Sequence, residues 1–448
     1  MNPAPLSLAA WLQRIEDAHP GGIVLGLERA GEVGRRLAVL NPPVPVITVA
    51  GTNGKGTVVG VLEAVLNTAG YRVGAYTSPH LLRFNERIRV GGAELGDEAL
   101  IAAFERVERA RGDTLLTYFE FTTLAALDAF TSAECDVWVL EVGLGGRLDA
   151  VNTVDPDAAV VTRIALDHTE YLGPDIDAVA REKAGIFRRG RPAVVGQIDP
   201  PDALLVAARE CGADLRRAGV DFRGEPAHKD SPAPVARERG GDPSATPSAR
   251  LRGGAWNWRG RSREFIGLPA PDGAAGGWQA NAAAALAALE ALRDRLPVDE
   301  EAVRAGVAAP PPPGRLQRIV RGGLEWVLDV AHNADAADEL ARWLDGTKSD
   351  ARRRAVFAVA ARKDVVAILA AIGGRVDEWY LPELEAPGMY PAADLALQIE
   401  DHGGRVAAVG KVEEILPLLD SGAGTGDQVV VFGSFFTVAA VQTYLGGR

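Results

Sequence analysis

Cysteine is nearly absent: Cys135 and Cys211 are the only two in 448 residues. They give neither a metal-type spacing nor a disulfide framework, which excludes a zinc module and a disulfide-stapled secreted scaffold and fits a reducing cytoplasm. Both read as buried apolar fillers rather than nucleophiles. Long apolar runs are missing too, because Gly, Pro or charge interrupts every stretch that approaches bilayer length. The N-terminal MNPAPLSLAAWLQRIEDAH carries charge where a secretory signal needs an apolar run. The expectation is a cytoplasmic protein with no membrane partner. Positive charge is not in excess either: formal net charge is -12 and the sequence pI is about 5.2. That balance excludes a broad nucleic-acid surface while allowing local basic sites for anionic ligands. Lysine is scarce beside arginine, so a lysine inside an ordered-looking motif is worth following.

What remains has the composition of a globular protein, 47% hydrophobic and 24% charged. The length exceeds what one hydrophobic core usually supports, so two domains are expected. Both halves alternate short β-rich runs with helical patterns, the signature of parallel sheets flanked by helices. VITVA (46–50), VWVLEV (137–142), AAVVTRIAL (158–166) and AVVG (193–196) read as strands of the first half. WVLDVA, AVFAVA, VDEWYL, RVAAV and QVVVFG repeat the rhythm in the second. Between them the run Pro310-Pro311-Pro312-Pro313-Gly314 reads as a stiff extended connector. The predicted domains are 1–309, a linker 310–314, and 315–448. A Pro-, Ser-, Gly- and charge-rich stretch, about 224–254, reads as an irregular surface insertion in the first domain.

The sharpest signal is Gly51-Thr52-Asn53-Gly54-Lys55-Gly56-Thr57, between a predicted strand and a helix with an apolar stripe at Val58, Val61, Leu62, Val65 and Leu66. Glycines let the backbone approach phosphates, and a helix N-terminus presents N–H groups to an anion. Lys55 reaches toward the terminal phosphates and the Thr57 hydroxyl toward Mg²⁺. The glycine spacing is shorter than in the common nucleotide loop, and Gly56 separates Lys55 from Thr57. The strand before, the helix after and the Lys-Gly-Thr run together favour a phosphate loop over an ordinary Gly-rich turn. Ligands of doubly wound sheets gather beyond the carboxyl ends of strands, where Glu141 closes VWVLEV. Thr57, Ser78 and Glu141 offer oxygen for one Mg²⁺, with water completing the shell. By spacing alone, His168 reads as a loop histidine, since imidazole suits softer metals. Asp167 reads as a turn or capping residue, and Arg147 as an anion contact or a surface ion pair.

These blocks, with YTSPHL (76–81), NERIRV (85–90), LTYFEF (116–121), LEVGLGGRLDAVN (140–152), ALDHTEYLG (165–173) and REKAGIF (181–187), resemble folylpolyglutamate synthases and their bifunctional dihydrofolate synthase relatives, within the Mur-type amide ligases. QANAAAAL (279–286), PGRLQ (313–317), DVAHN (329–333) and FGSFFTVAAV (432–441) extend the resemblance over nearly the whole chain. The resemblance implies an α/β fold: an N-terminal P-loop ATPase domain with a mostly parallel sheet and a C-terminal Rossmann-like domain. It implies ATP-dependent addition of L-glutamate to dihydropteroate and to reduced folates through an acyl phosphate. The cofactors it brings are ATP, two Mg²⁺ ions and a place for a monovalent cation.

The resemblance also assigns residues. His168 and a carbamylated Lys183 would hold the second Mg²⁺, and with Lys55 these make the expected catalytic set. Asn281 would contact adenine and Arg315 an ATP phosphate, while Asp329 and His332 would lie near the nucleotide and the incoming glutamate. Leu25, Gly26, Leu27, Glu28 and Arg29, with Thr117, Phe119, Leu148, Asp149 and Ala150, would line the dihydropteroate site. Aromatic walls suit a flat heterocycle and carboxylates suit its N–H donors, although core packing competes for Phe119 and Phe121. Two positions depart from the family pattern: Phe436 replaces a frequent His, and Arg362 replaces an acidic residue. The expected assembly is a monomer. Folylpolyglutamate synthesis alone, another Mur-type ligation and a nucleotide-binding regulator without catalysis stay open as alternatives. Against a peptidoglycan ligase, too little chain precedes Gly51 for a UDP-sugar domain.

Overall fold

The computed structural model describes the chain apart from residues 1–5, 20–21, 228–253, 273, 275, 348–351, 423, 425 and 447–448. Its contacts divide it into two units: residues 1–79 with 84–310, and residues 80–83 with 311–448.

The first unit is built on an eight-stranded sheet: β1 (Val46–Ala50), β2 (Val73–Tyr76), β3 (Ile88–Val90), β4 (Ala93–Glu94), β5 (Val137–Glu141), β6 (Ala158–Val161), β7 (Pro192–Val195) and β8 (Asp214–Arg217). The order is β4-β3-β2-β5-β1-β6-β7-β8. All neighbours are parallel except at β3 and β4, which add antiparallel edge strands. β1 lies centrally and is buried along its whole length, which is why VITVA is apolar at every position but Thr48. Successive residues serve opposite faces. Val46 and Ala50 join Tyr76, Leu140 and Val161 in one core, and Ile47 and Val49 join Ala75, Val139 and Val160 in the other. On that second face the helix Lys55–Thr68 buries Val58, Val59, Val61, Leu62, Val65 and Leu66. Each such side chain contributes about 1.5–3 kcal/mol by its burial, so the helix start is firmly seated.

Strand AAVVTRIAL is shorter than its composition predicts. β6 ends at Val161, and Arg163 instead forms an isolated bridge with Asn53. Thr162 turns its hydroxyl onto the Asn53 carbonyl at 2.7 Å, so the chain leaves the sheet to hold the loop after β1. The predicted insertion also needs correcting at its edges. Residues 224–226 belong to β9 (Arg223–Pro226), which pairs antiparallel with β10 (Ala255–Arg259), itself paired with β11 (Glu264–Pro269). Trp256 and Trp258 of β10 supply the apolar anchors, and the Trp258 indole donates to Ala283 O at 3.1 Å. Residues 228–253 of that stretch lie outside the described residues.

The second unit carries β12 (Gln317–Arg321), β13 (Leu324–Leu328), β14 (Arg353–Phe357), β15 (Glu378–Glu383), β16 (Val406–Lys411) and β17 (Gln428–Phe432). The order is β12-β13-β17-β14-β15-β16, parallel except for the β12–β13 hairpin. Phe357, Trp379 and Phe432 stack in its core, with ring centroids of Phe357 and Phe432 4.7 Å apart. Arg354 is buried between Glu378 and Asp427 and pairs with both. No described helix is long and apolar enough to cross a membrane.

Candidate active site

The loop after β1 tolerates little but glycine at two positions. Gly51 has φ +149°, and a Cβ there would meet Thr162 Oγ1 at 1.8 Å. Gly54 has φ +91°, and a Cβ there would lie 2.4–2.7 Å from the side-chain amide of Asn281. Asn281 on the helix Gly276–Ala291 therefore abuts the loop directly. Gly54 brings no side chain to cap the helix Lys55–Thr68, so the first turn presents backbone donors beyond the sheet's carboxyl edge. Thr52 pins the loop from within: its amide donates to Arg163 O at 2.7 Å, and its hydroxyl donates to Ala165 O at 3.0 Å. Asn53 accepts from Thr162, Gly56 follows Lys55 in the helix, and Thr57 is buried in the first turn. Lys55 folds back over the loop, donating to Gly51 O at 3.2 Å and Thr52 O at 3.3 Å.

A second lysine comes to the same carbonyl from far along the chain. Lys183, buried on the helix Ile176–Ala184, donates to Gly51 O at 3.0 Å. Burial, and then the charge of Lys55, lower its pKa to about 7, while Asp167 and Asp149 pull the other way. Glycines let that helix approach: a Cβ at Gly146 would lie 2.9 Å from Glu182 O. Arg147 N donates to the same carbonyl at 2.8 Å, and its guanidinium pairs with Glu182 at 2.7 Å. Arg147 is thus an ion-pair residue here. Glu141 is buried at the end of β5, and its Oε2 accepts from Ser78 N at 3.3 Å. His168 sits in the left-handed region (φ +52°), with Tyr171 N and Leu172 N donating to its carbonyl. Asp167 Oδ1 accepts from His168 N at 2.9 Å, the turn role its sequence predicts.

Three segments converge nearby. Leu25 to Arg29 enter through Gly26, whose amide donates to Leu148 O at 3.1 Å. Leu27 precedes the helix Glu28–Leu37, where Glu28 opens the first turn. Arg29 donates to both carboxylate oxygens of Glu120, at 3.1 and 2.8 Å, and to Val24 O at 3.0 Å. Glu120 closes a capping box with Thr117 at the start of the helix Tyr118–Ser132. The Phe119 ring lies so close to Gly143 that a Cβ there would meet it at 2.5 Å, and it tilts against Tyr76 with centroids 6.0 Å apart. Phe121, by contrast, is a core residue packed edge-on against Phe104. Leu148 and Ala150 flank Asp149, whose carboxylate is buried and accepts from Leu144 N and Val151 N, both at 2.9 Å. Burial raises its pKa to about 6 against those hydrogen bonds. Sequence reasoning missed Glu120, Gly143 and Tyr76 here; the Thr-x-x-Glu spacing of the capping box was the available signal for Glu120.

In the second unit, Asp329 follows β13 and accepts from Leu316 N at 2.9 Å and Ala331 N at 2.8 Å. Burial raises its pKa, and Arg315 opposes the shift most strongly. Arg315 lies 5.5 Å from the centroid of the Phe435 ring, and His332 packs against the same ring at 6.4 Å. His332 Nδ1 lies 2.7 Å from Val330 O. Phe435 gathers the Arg315 and His332 side chains, whereas its neighbour Phe436 is exposed.

Among the described residues, no three of His, Cys, Asp and Glu gather as a metal site. Thr57, Ser78 and Glu141 each carry hard oxygen donors, with Glu141 a buried carboxylate that accepts from Ser78 N, and donors of that kind fit Mg²⁺ or Mn²⁺. Lys183 fits a metal only once its ammonium is converted to an anion. The amide nitrogen of Gln279, two residues before Asn281, is buried with no hydrogen-bond partner, as expected of a group that meets a bound ligand.

Residues 49–213 match the Mur ligase middle domain and residues 314–435 the Mur ligase glutamate ligase domain. Fold and loop together are those of an ATP-dependent Mur-type ligase. A relative from Escherichia coli K12 called dihydrofolate synthase/folylpolyglutamate synthase is 43% identical, over 98% of this chain and 96% of its own length. The chain belongs to the dihydrofolate synthase/folylpolyglutamate synthase family. Among solved structures, E. coli FolC in complex with DHPP and ADP superposes with a TM-score of 0.88, at 42% identity and 100% and 99% coverage. A bifunctional folylpolyglutamate synthase/dihydrofolate synthase with Mn, AMPPNP and L-glutamate bound gives 0.85, at 42% identity and 98% coverage of each chain.

Proposed function

We propose that this protein joins L-glutamate to dihydropteroate and to reduced folates, with ATP as the energy source. The observation that carries the reading is the meeting of Lys55 and Lys183 on the Gly51 carbonyl, beside a glycine turn that Asn281 abuts. The Lys55 ammonium and a helix N-terminus at one place suit a triphosphate, and Lys183 reaches the same point as a prospective metal-binding group. The relatives bound to ADP, AMPPNP, Mn, DHPP and glutamate add support.

In the reaction, the pterin-side carboxylate attacks the γ-phosphorus and ADP leaves, giving an acyl phosphate. The neutral amine of glutamate then attacks the acyl carbon. The tetrahedral intermediate sheds a proton and collapses to the amide, expelling inorganic phosphate. Lys55 offsets the charge that builds on the transferring phosphoryl oxygens. Thr57, Ser78 and Glu141 hold a divalent ion, which supplies further charge neutralisation when bound. Gln279 and Asn281 receive the adenine end.

Lys183 and His168 serve a second divalent ion in this reading. For Lys183 this requires carbamylation: the uncharged Nζ adds to the carbon of CO₂ and releases a proton, leaving an anionic oxygen donor. The lowered pKa of about 7 supplies the uncharged amine. Asp149 accepts from pterin N–H groups and Phe119 stacks on the ring, with Leu25–Arg29, Thr117, Leu148 and Ala150 forming the walls. Arg315, Asp329 and His332 act on the nucleotide and glutamate side, supported by Arg315 and His332 packing against Phe435 and by the electrostatic pull of both on Asp329. The working form is a cytoplasmic monomer with small-molecule partners alone. A monovalent cation completes the cofactor set.

Incorporation of labelled L-glutamate, measured side by side with dihydropteroate and tetrahydrofolate, tests the assignment. Both acceptors are expected to gain label in an ATP-dependent manner. Label on tetrahydrofolate alone would remove the dihydrofolate synthase half, and label on neither would remove the whole.

A further inference from the structure

We propose that Arg89 is a positioning residue for the divalent-metal site, acting through a Glu63–Arg89–Thr77 bridge that sets the Ser78 turn against the phosphate-loop helix. The inference rests on the assignment of Thr57, Ser78 and Glu141 as the metal's oxygen donors.

NERIRV is a motif of the first unit to which the nucleotide, metal and pterin assignments give no task. Arg89 lies on β3 and uses every face of its guanidinium fork. Nε reaches Glu63 Oε1 and Oε2 at 3.1 and 3.0 Å, and Nη2 reaches Oε2 at 2.7 Å. Nη1 donates to Thr77 Oγ1 at 2.9 Å and to Glu86 O at 2.7 Å. Glu63 is a buried carboxylate on the helix Lys55–Thr68, the same helix that carries Thr57. Thr77 is the residue immediately before Ser78.

The consequence is geometric. Thr57 is fixed by the helix, and Glu141 by β5. Ser78 lies in a turn beyond the end of β2, where its neighbours decide its place. Its own amide is held by Glu141 at 3.3 Å, and the Thr77 amide donates to Arg87 O at 2.9 Å. The Arg89 fork ties the residue before this turn to the helix bearing Thr57. A bidentate arginine–carboxylate pair is rigid in both distance and angle, which a lysine cannot reproduce. Partners that orient metal-binding groups from behind commonly change affinity when lost.

The variants Thr77→Val, Thr77→Ser and Arg89→Lys separate this role from simple support of the fold. Mn²⁺ binding is titrated by electron paramagnetic resonance on the full chain with AMPPNP present, and thermal unfolding is followed alongside. Thr77→Val and Arg89→Lys are expected to weaken Mn²⁺ binding by about tenfold or more, whereas Thr77→Ser, which keeps the hydroxyl, stays within about twofold of the parent. Wild-type Mn²⁺ affinity in folded Thr77→Val and Arg89→Lys would overturn the proposal. Equal loss in Thr77→Ser would overturn it as well, since the hydroxyl contact would then be irrelevant. Ser78→Ala and Glu141→Gln locate any failure. If these also bind Mn²⁺ like the parent, the metal assignment itself is wrong; if they weaken it while the bridge variants do not, only the bridge is wrong.

Discussion

Two lysines share one carbonyl oxygen, and their different surroundings give them different chemistry. Lys55 lies along the loop it serves, so its charge is available to a phosphate. Replacing it with alanine is expected to lower kcat for ligation by roughly 100-fold or more, the scale seen when one preorganised charge-stabilising group is lost. Steady-state ADP release in the presence of glutamate measures this. Lys183 is buried, and its pKa of about 7 stands below the usual lysine value of 10.5. Between those two pH values the unfolded chain holds a proton there that the folded chain does not, so this group's contribution to stability grows as pH rises and is lost as pH falls through 7. The uncharged amine follows the same direction. With ¹³C-bicarbonate, a carbamate ¹³C resonance is expected to strengthen between about pH 6 and about pH 8, and to be absent in Lys183→Ala. A resonance unchanged across that range would contradict the assignment.

Elements place these residues, and they account for what the sequence shows and what it hides. β1 was readable because this fully buried central strand is apolar but for Thr48 and is followed by glycine. The same rule overextended β6, because Thr162 and Arg163 look like strand residues yet bond the phosphate loop instead. β9 was hidden for a related reason: its Arg-Gly-Glu-Pro sequence lacks the apolar alternation of a half-buried strand, and tryptophans of β10 supply the packing. The residues of the nucleotide loop were legible from local spacing. The meeting of Lys183 with Gly51, 132 residues away, and of Arg29 with Glu120, 91 residues away, depends on sheet order, and periodicity carries no such information. Gly143 lies between these levels, since a glycine after a strand is ordinary until Phe119 is seen against it. Gly143→Ala would place a Cβ 2.5 Å from that ring. It is expected to raise KM for dihydropteroate several-fold, roughly the cost of displacing one packed aromatic, and to leave KM for ATP unchanged. Initial-rate kinetics with each substrate varied would show the split.

At the scale of the molecule, two α/β units each carry their own core, and each can be perturbed separately. Arg354 lies buried in the second unit among Glu378 and Asp427, with Arg352 and Arg405 also reaching Glu378. Arg354→Met would remove the ion pair at Asp427, whose carboxylate still accepts from Gly424 N, and would leave Glu378 ion-paired with the outer two arginines. A loss of about 3 kcal/mol is expected, the lower end for breaking a buried pair, since those two arginines still reach Glu378. Denaturant unfolding with and without AMPPNP would register it as a transition of the second unit.

The central claim is that this fold drives amide formation by passing the γ-phosphoryl group to the substrate carboxylate. Dihydropteroate labelled with ¹⁸O in that carboxylate tests it most directly, by mass spectrometry of the inorganic phosphate released during turnover with ATP and glutamate. The account predicts one ¹⁸O in each phosphate formed from labelled substrate. Unlabelled phosphate, or ¹⁸O found in AMP, would contradict it.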